Sequence, residues 1–268
     1  TKCQFRNQCG RGCSFGAYFS TQAVTLPAAR ATGRLTLRPD SVVTSLEYDA
    51  KTKKVTGVRV VDAKTKQAEV IPARMVFLCA SAMASTQILM NSRIPGSGKS
   101  HFDTSGTLGR YVMDHIFRVG VSGEIPGMTE YIEYGRRPGG VYIPRFRNIG
   151  ADRRPYRRGF GYQGAASREG WSREVAEMSI GGDFKDALGE PGKWTMGING
   201  FGEMLPYHEN KVTLDNNTKD KWGLPVLAID CEIKENEHKM RKDMMTDAKE
   251  MLEAAGLKGV HTWDDGYY

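Results

Sequence analysis

The chain has 268 residues, 40% of them apolar, and a formal charge of +7. That length suits one large domain or two small ones. No run of eighteen apolar residues occurs, which excludes a membrane-spanning helix within this chain.

Three of the five cysteines open the sequence, in "CQFRNQCGRGCSFGAYFS" (3–20), spaced Cys3-x5-Cys9-x3-Cys13. Gly10 and Gly12 permit sharp turns between them. Three close thiolates suit a soft iron–sulfur site. A disulfide, or a tight turn that holds buried thiols, fits the same residues. Cys79 stands in an apolar, strand-like run and reads as a small buried hydrophobe, and Cys231 stands in a second strand-like run.

Residues 22–32 are Ala-rich and compatible with a helix that Gly33 stops. "LTLR" (35–38) reads as a short strand. Then 41–49, 55–63 and 68–73 are β-branched runs separated by short polar loops, which predicts a three-stranded meander. "MVFLCA" (75–80) is continuously apolar, as in a strand buried on both faces. It passes through Ala80, Ser81 and Ala82 into a helical stretch with Ile88 and Leu89. A strand, a small-residue turn and a helix in succession bring backbone N–H groups close to a bound group. "IPGSGKS" (94–100) lacks the spacing of a phosphate-binding loop and reads as an ordinary loop.

From 93 to 206 the pattern is irregular and rich in Gly, Pro, Arg and aromatics, which suggests an antiparallel sheet with long loops. Strands are expected in "GGVYIPRFRNIG" and "KWTMGINGFGEML", and again across 210–233. Nine arginines from Arg136 to Arg168 carry much of the excess charge. Such a stripe suits nucleic acid, an acidic sugar, a partner subunit, or solvent with local ion pairs. No nucleic-acid-binding module surrounds it, so nucleic acid is not expected as a partner. The clearest helix is 236–256, where Met240, Met244, Ala248, Met251, Leu252 and Ala255 recur at helical spacing before Gly256. Trp171, Trp194, Tyr162 and Tyr207 suit stacking on sugar rings or a place in the core. Asp114 and His115 are adjacent and point different ways if they lie on a regular element, so they read as structural rather than as a catalytic pair.

Four stretches, in the same order, resemble the glucose–methanol–choline (GMC) family of flavin oxidoreductases. They are "LPAARATGRLTLRPDSVVTSLEYD" with "VTGVRVVDA", "ARMVFLCASAMASTQILMNS", "LGRYVMDHIFR" and "NKVTLDNNTKDKWGLPVLAID". The cysteine stretch "CGRGCSFGAYFS" is similar to the branch acting on sugars and sugar acids. The resemblance implies an α/β (α+β) fold: part of a Rossmann-like FAD-binding domain with a β-meander over 1–92, then an antiparallel-sheet substrate domain with helices over 93–268. It implies FAD as cofactor and hydride transfer from a CH–OH carbon of a sugar or sugar-acid substrate to the flavin.

Residue by residue, Val43 corresponds to a meander position whose backbone lies near the adenine, and Ala80, Ser81 and Ala82 to the turn beside the cofactor, with Ser81 where the family usually has Gly. Cys3, Cys9 and Cys13 correspond to a [3Fe–4S] cluster found in some members, which would pass electrons to an external acceptor. The family's dinucleotide motif G-x-G-x-x-G does not occur, and its catalytic His is expected beyond Tyr268. The chain is therefore expected to be a central piece, inactive alone, with the missing segments supplied elsewhere, for instance by a partner chain. A non-catalytic carbohydrate-binding module and an iron–sulfur electron-transfer module are the rival readings. The flavin reading leans on the run ending at Cys79, which must be buried beside the meander.

Overall fold

The computed structural model describes residues 2–6, 12–132, 140–170 and 181–266. Its first elements are a π-turn (Thr21–Thr25), α1 (Leu26–Ala31), β1 (Ser41–Asp49), β2 (Lys54–Asp62), β3 (Ala68–Pro72) and α2 (Ala82–Asn91). There follow β4 (His115–Ile116), β5 (Val119–Glu124), β6 (Val141–Ile143), β7 (Phe160–Arg168) and α3 (Gly182–Gly189). The last are β8 (Trp194–Glu203), β9 (Lys211–Lys219), β10 (Pro225–Asp230), α4 (Glu235–Ala254) and β11 (Lys258–Asp264). This is the mixed α and β composition expected, and every strand pair among the described residues is antiparallel.

The chain divides into two compact units, one made of Thr36–Met113 with Pro206–Glu232, the other of Thr1–Leu35, Asp114–Leu205 and Ile233–Tyr268. In the first, the predicted meander forms in the order β1-β2-β3. Aspartates close its turns: Asp49 Oδ1 accepts from Lys51 N at 2.8 Å, and Asp62 Oδ1 from Lys64 N and Thr65 N at 2.9 and 2.7 Å. Such side-chain acceptance stabilises a tight turn by copying a backbone turn bond. Helix α2 is tied to β1 where Ser92 Oγ accepts from Leu46 N at 2.8 Å and donates to Ile88 O at 2.7 Å, all buried. The β9–β10 hairpin joins α2 through Gln87 Nε2, which donates to Pro225 O at 2.8 Å.

Two expected strands are absent. Residues 35–38 carry no ladder, and Leu35 and Leu37 are exposed. Residues 75–79 form no strand, with Met75 71% and Phe77 80% exposed, Cys79 exposed, and Val76 and Leu78 half-buried. A strand buried on both faces needs hydrogen-bonding neighbours at its edges, and none pairs with this run among the described residues.

In the second unit a six-stranded sheet runs β11-β5-β8-β7-β6, with β4 also pairing β8. Strands β4 and β5 lie end to end along β8, separated at Arg118, whose φ is +61°. One face of this sheet carries α4. Met240, Met244, Ala248 and Leu252, one turn apart, are all buried, as are Val119, Val121, Phe160, Tyr162 and Ile198 on the sheet. A Cβ at Gly200 would stand 2.7 Å from Met244 Sδ, and one at Gly202 2.5 Å from Met240 Sδ. The methionine side chains thus occupy the room these glycines leave. Each fully buried methionine contributes about 1.5–3 kcal/mol by apolar burial.

Helix α4 also buries charge. Glu237 accepts from Leu205 N at 3.1 Å and Lys234 N at 2.9 Å, closing the helix start. Arg241 donates to Phe117 O at 2.7 Å and is ion-paired with Asp264 of β11. Burial pushes the Asp264 carboxyl up, but hydrogen bonds from Arg241 and from Gly266 N more than reverse this and hold it below its ordinary range. Asp247 receives Arg147, with Nε 2.6 Å from Oδ2, and so fixes the segment between β6 and β7 to the helix. Replacing Arg241 with Met should leave Asp264 and a carbonyl without their donor and lower stability by about 2–3 kcal/mol; urea unfolding of the variant beside the parent measures this.

Candidate functional site

Among the described residues, no helix or strand covers the sheet face opposite α4. Side chains alternate across a strand, so the residues between the core positions all project there. On β8 these are Asn199, Phe201 and Glu203, between Ile198, Gly200 and Gly202, which are buried. On β7, Gly161 and Gln163 alternate with the buried Phe160 and Tyr162. Tyr142 of β6 pairs with Gln163 and His115 of β4 with Glu203. A cavity of about 580 Å³ lies on this face, with Asp114, His115 and Phe117 on one side and Tyr142 and Arg145 on the other. A neighbouring hollow shares Tyr142, Gln163 and Phe201 and adds Asn199.

Gly159 and Gly161 make room for the first cavity. A Cβ at Gly159 would meet Arg145 Nε at 2.6 Å, and one at Gly161 would meet Ile143 O at 2.8 Å and Tyr142 Oη at 3.1 Å. Phe117 and Phe201 stack with centroids 6.5 Å apart and planes 6° apart, forming an aromatic wall. The polar groups around them can both donate and accept. Glu203 pairs with Arg158 at 3.5 Å. Asp114 Oδ1 accepts from His115 N at 2.7 Å and lies 3.6 Å from His115 Nδ1. Asp114 and His115 therefore do share one cavity. The alternation rule fails for them because Asp114 precedes β4 and its side chain folds back on its neighbour's N–H.

The aromatics expected to stack on sugar lie elsewhere. Tyr162 is in the core, where its hydroxyl donates to Met244 O at 2.8 Å. Trp194 is bracketed by Tyr131 and Arg168, whose guanidinium sits 5.7 Å from its ring. Tyr207 belongs to the other unit, and Trp171 lies outside the described residues. Of the arginine stripe, Arg147 and Arg154 pair with Asp247, Asp152 and Asp243, and Arg158 with Glu203, while Arg136 and Arg137 lie outside the described residues. Tyr142 and Phe201 were missed by motif reading, and Arg145 stood out only as one member of the arginine stripe. The alternation Asn199-Gly-Phe201-Gly-Glu203 was the available signal.

Val43 and the turn Ala80–Ala82 fall in one unit, Val43 half-buried on β1 beside a register shift and opposite Val60. Ser81 has φ +83° and ψ 165°, and its Oγ accepts from Ala84 N at 3.4 Å as N-cap of α2. That backbone region belongs almost to glycine alone and costs a serine about 1–3 kcal/mol. The close-approach geometry expected of a glycine is thus present with a serine in it. Cys9 lies outside the described residues. Cys3 Sγ accepts from Phe5 N at 3.4 Å. Backbone N–H groups of Tyr18 first, then Ala17, Phe15 and Gly16, hold the Cys13 thiol below its ordinary range. Among the described residues no group of three or more His, Cys, Asp or Glu is arranged to hold a metal ion.

Residues 1–117 match the family model described as GMC oxidoreductase. The chain is 29% identical over 196 residues, 71% of its length, to 2-methyl-1,2-propanediol dehydrogenase of Mycolicibacterium austroafricanum, covering 35% of that protein. It is 23% identical over 268 residues, 96% of its length, to the gluconate 2-dehydrogenase flavoprotein of Pantoea cypripedii, covering 43% of it. The family model covers less than half of the chain, and the chain spans less than half the length of either relative, so these findings show a similarity to GMC oxidoreductases. Since the run ending at Cys79 is exposed, this similarity rests on the sequence and not on a buried strand.

Two outcomes test these local features. Ser81→Gly should raise the urea midpoint, by about 1 kcal/mol of stability, because the strain it removes exceeds the few tenths lost from the cap; Ser81→Ala should lower it. Alkylation of Cys13 by iodoacetamide, followed by peptide mass spectrometry across pH, should reach half its limiting rate at a lower pH than a model thiol. A midpoint at or above that of the model thiol would remove the backbone stabilisation.

Proposed function

We propose that this chain forms part of an FAD-dependent enzyme that oxidises an alcohol carbon of a sugar or related polyol, with the open face of the six-stranded sheet receiving the substrate. The observation that carries this reading is the cavity itself. Stacked Phe117 and Phe201 offer an apolar wall for the C–H face of a sugar, while Asp114, His115, Gln163 and Glu203 offer hydrogen-bond partners for hydroxyls. That mixture of apolar body and few polar anchors is usual for small-molecule sites of roughly 300–1,000 Å³. The names of the two relatives, a diol dehydrogenase and a gluconate dehydrogenase flavoprotein, support an alcohol donor and a flavin.

The residues toward the flavin are Val43, through its backbone, and the turn Ala80–Ala82. Small side chains and the positive φ of Ser81 suit close approach of a ligand to main chain at the start of α2, where the first N–H groups have no intrahelical partner. Bound flavin supplies the hydride acceptor. The chain's own contribution at the cavity is to bind and orient: the aromatic wall excludes water from one side of the substrate, and carboxylates accept its O–H protons in hydrogen bonds.

The test uses the full-length protein with its flavin. Tyr142→Ala and Phe201→Ala should each reduce kcat/KM for polyol oxidation at least about tenfold while the visible flavin spectrum stays that of the parent. Parent-like oxidation by both variants would remove the cavity from the reaction, and a full-length protein that purifies without flavin would remove the enzyme reading.

A further inference from the structure

The cavity is not symmetric in charge, and the asymmetry bears on which polyol it takes. Successive strands stand about 4.8 Å apart. The order β4, β8, β7, β6 thus places Asp114 and His115 at one side and Arg145, just past β6, at the other, about 14 Å away along the sheet. Asp114 and Glu203 carry the acid. Glu203 is already paired with Arg158, and Asp114 is held against His115. Arg145 differs from its neighbours. Its Nε donates to Arg147 O at 3.1 Å and its Nη2 to Asn148 O at 2.9 Å. These bonds fix the plane of the guanidinium over Gly159, while no carboxylate lies within ion-pairing reach among the described residues. Nη1 is left with both of its donors for a ligand. A fixed planar fork with unspent N–H groups at the wall of a polar cavity is the arrangement that reads carboxylate.

We propose that Arg145 is the specificity-determining residue of this cavity, and that the ligand is a polyhydroxylated carboxylic acid of the sugar-acid class. Its carboxylate meets Arg145, and its hydroxyl-bearing end meets Asp114, His115 and Glu203. The acids at that end disfavour the reverse orientation by charge repulsion and accept O–H donors instead. This rests on the substrate reading of the cavity given above, and it chooses the acid over the neutral polyol that the same aromatic wall would accept.

Gluconate and sorbitol separate the two, since they differ only in having a carboxylate or a CH2OH at one end. Titration calorimetry on the full-length protein with its flavin kept reduced, so that no turnover intervenes, compares them on the parent, Arg145→Gln and Arg145→Lys. The parent should bind gluconate about tenfold or more tighter than sorbitol, and added salt should weaken gluconate alone. Arg145→Gln should lower gluconate affinity about ten- to hundredfold and leave sorbitol unchanged, with Arg145→Lys recovering part of the loss. Equal weakening of both probes by Arg145→Gln, or none of either, overturns the assignment of Arg145 while the cavity stands. If neither probe binds the parent, and Tyr142→Ala oxidises polyols as the parent does, the substrate reading of the cavity falls and takes the assignment with it.

Discussion

The second unit depends on methionines seated against glycines. Met240 and Met244 of α4 fill the space over Gly200 and Gly202 of β8, where a single added carbon would collide with sulfur. This close fit seals one face of the sheet. Tyr162 adds its hydroxyl to the Met244 carbonyl, and Arg147 reaches Asp247 from the far side of the β6–β7 connection. Helix, sheet and the arginine-rich loop are therefore fixed together on one side. With the apolar demand of the unit met there, the opposite face is free to hold polar and aromatic side chains at the cavity.

The same logic explains how charge is handled. A chain with an excess of arginine might be expected to display it. Instead Arg147, Arg154 and Arg241 are drawn onto α4 or β11 by carboxylates, and Arg158 onto β8. Buried ion pairs of this kind are weak evidence for stability, because desolvation offsets the attraction. What they supply is placement: Arg147, Arg154 and Arg158 fix loop segments to α4 and β8, and Arg241 fixes α4 to β11. Arg145, held by carbonyls rather than carboxylates, keeps its charge for the cavity.

The meander and α4 were legible in the sequence because each shows its own period without help: β-branched runs between Asp-bearing turns in one, and buried residues every four positions in the other. Residues 75–79 misled because continuous apolarity reports what a strand needs, not whether neighbours are there to meet it. Strand β7 was hidden by glycine, which signals loop as readily as a close-packed sheet, and β11 lacks the alternation that would mark it. The cavity could not be read from local motifs. Its walls come from Asp114, Tyr142, Gly159 and Phe201, which are brought together only by the strand order. At Ser81 the position was legible in the sequence and the backbone supplied the reason: a positive φ where glycine would rest more easily.

The division of β8 into two combs has a further consequence. Glycines 200 and 202 are locked by the helix, while Asn199, Phe201 and Glu203 alternate with them on the cavity face, where Phe201 meets Phe117 and Glu203 meets Arg158 at the surface. Mutational drift can therefore rewrite the outward teeth while the inward ones stay constant. A lineage built on this scaffold can re-line the cavity by single replacements, with little penalty to the architecture beneath.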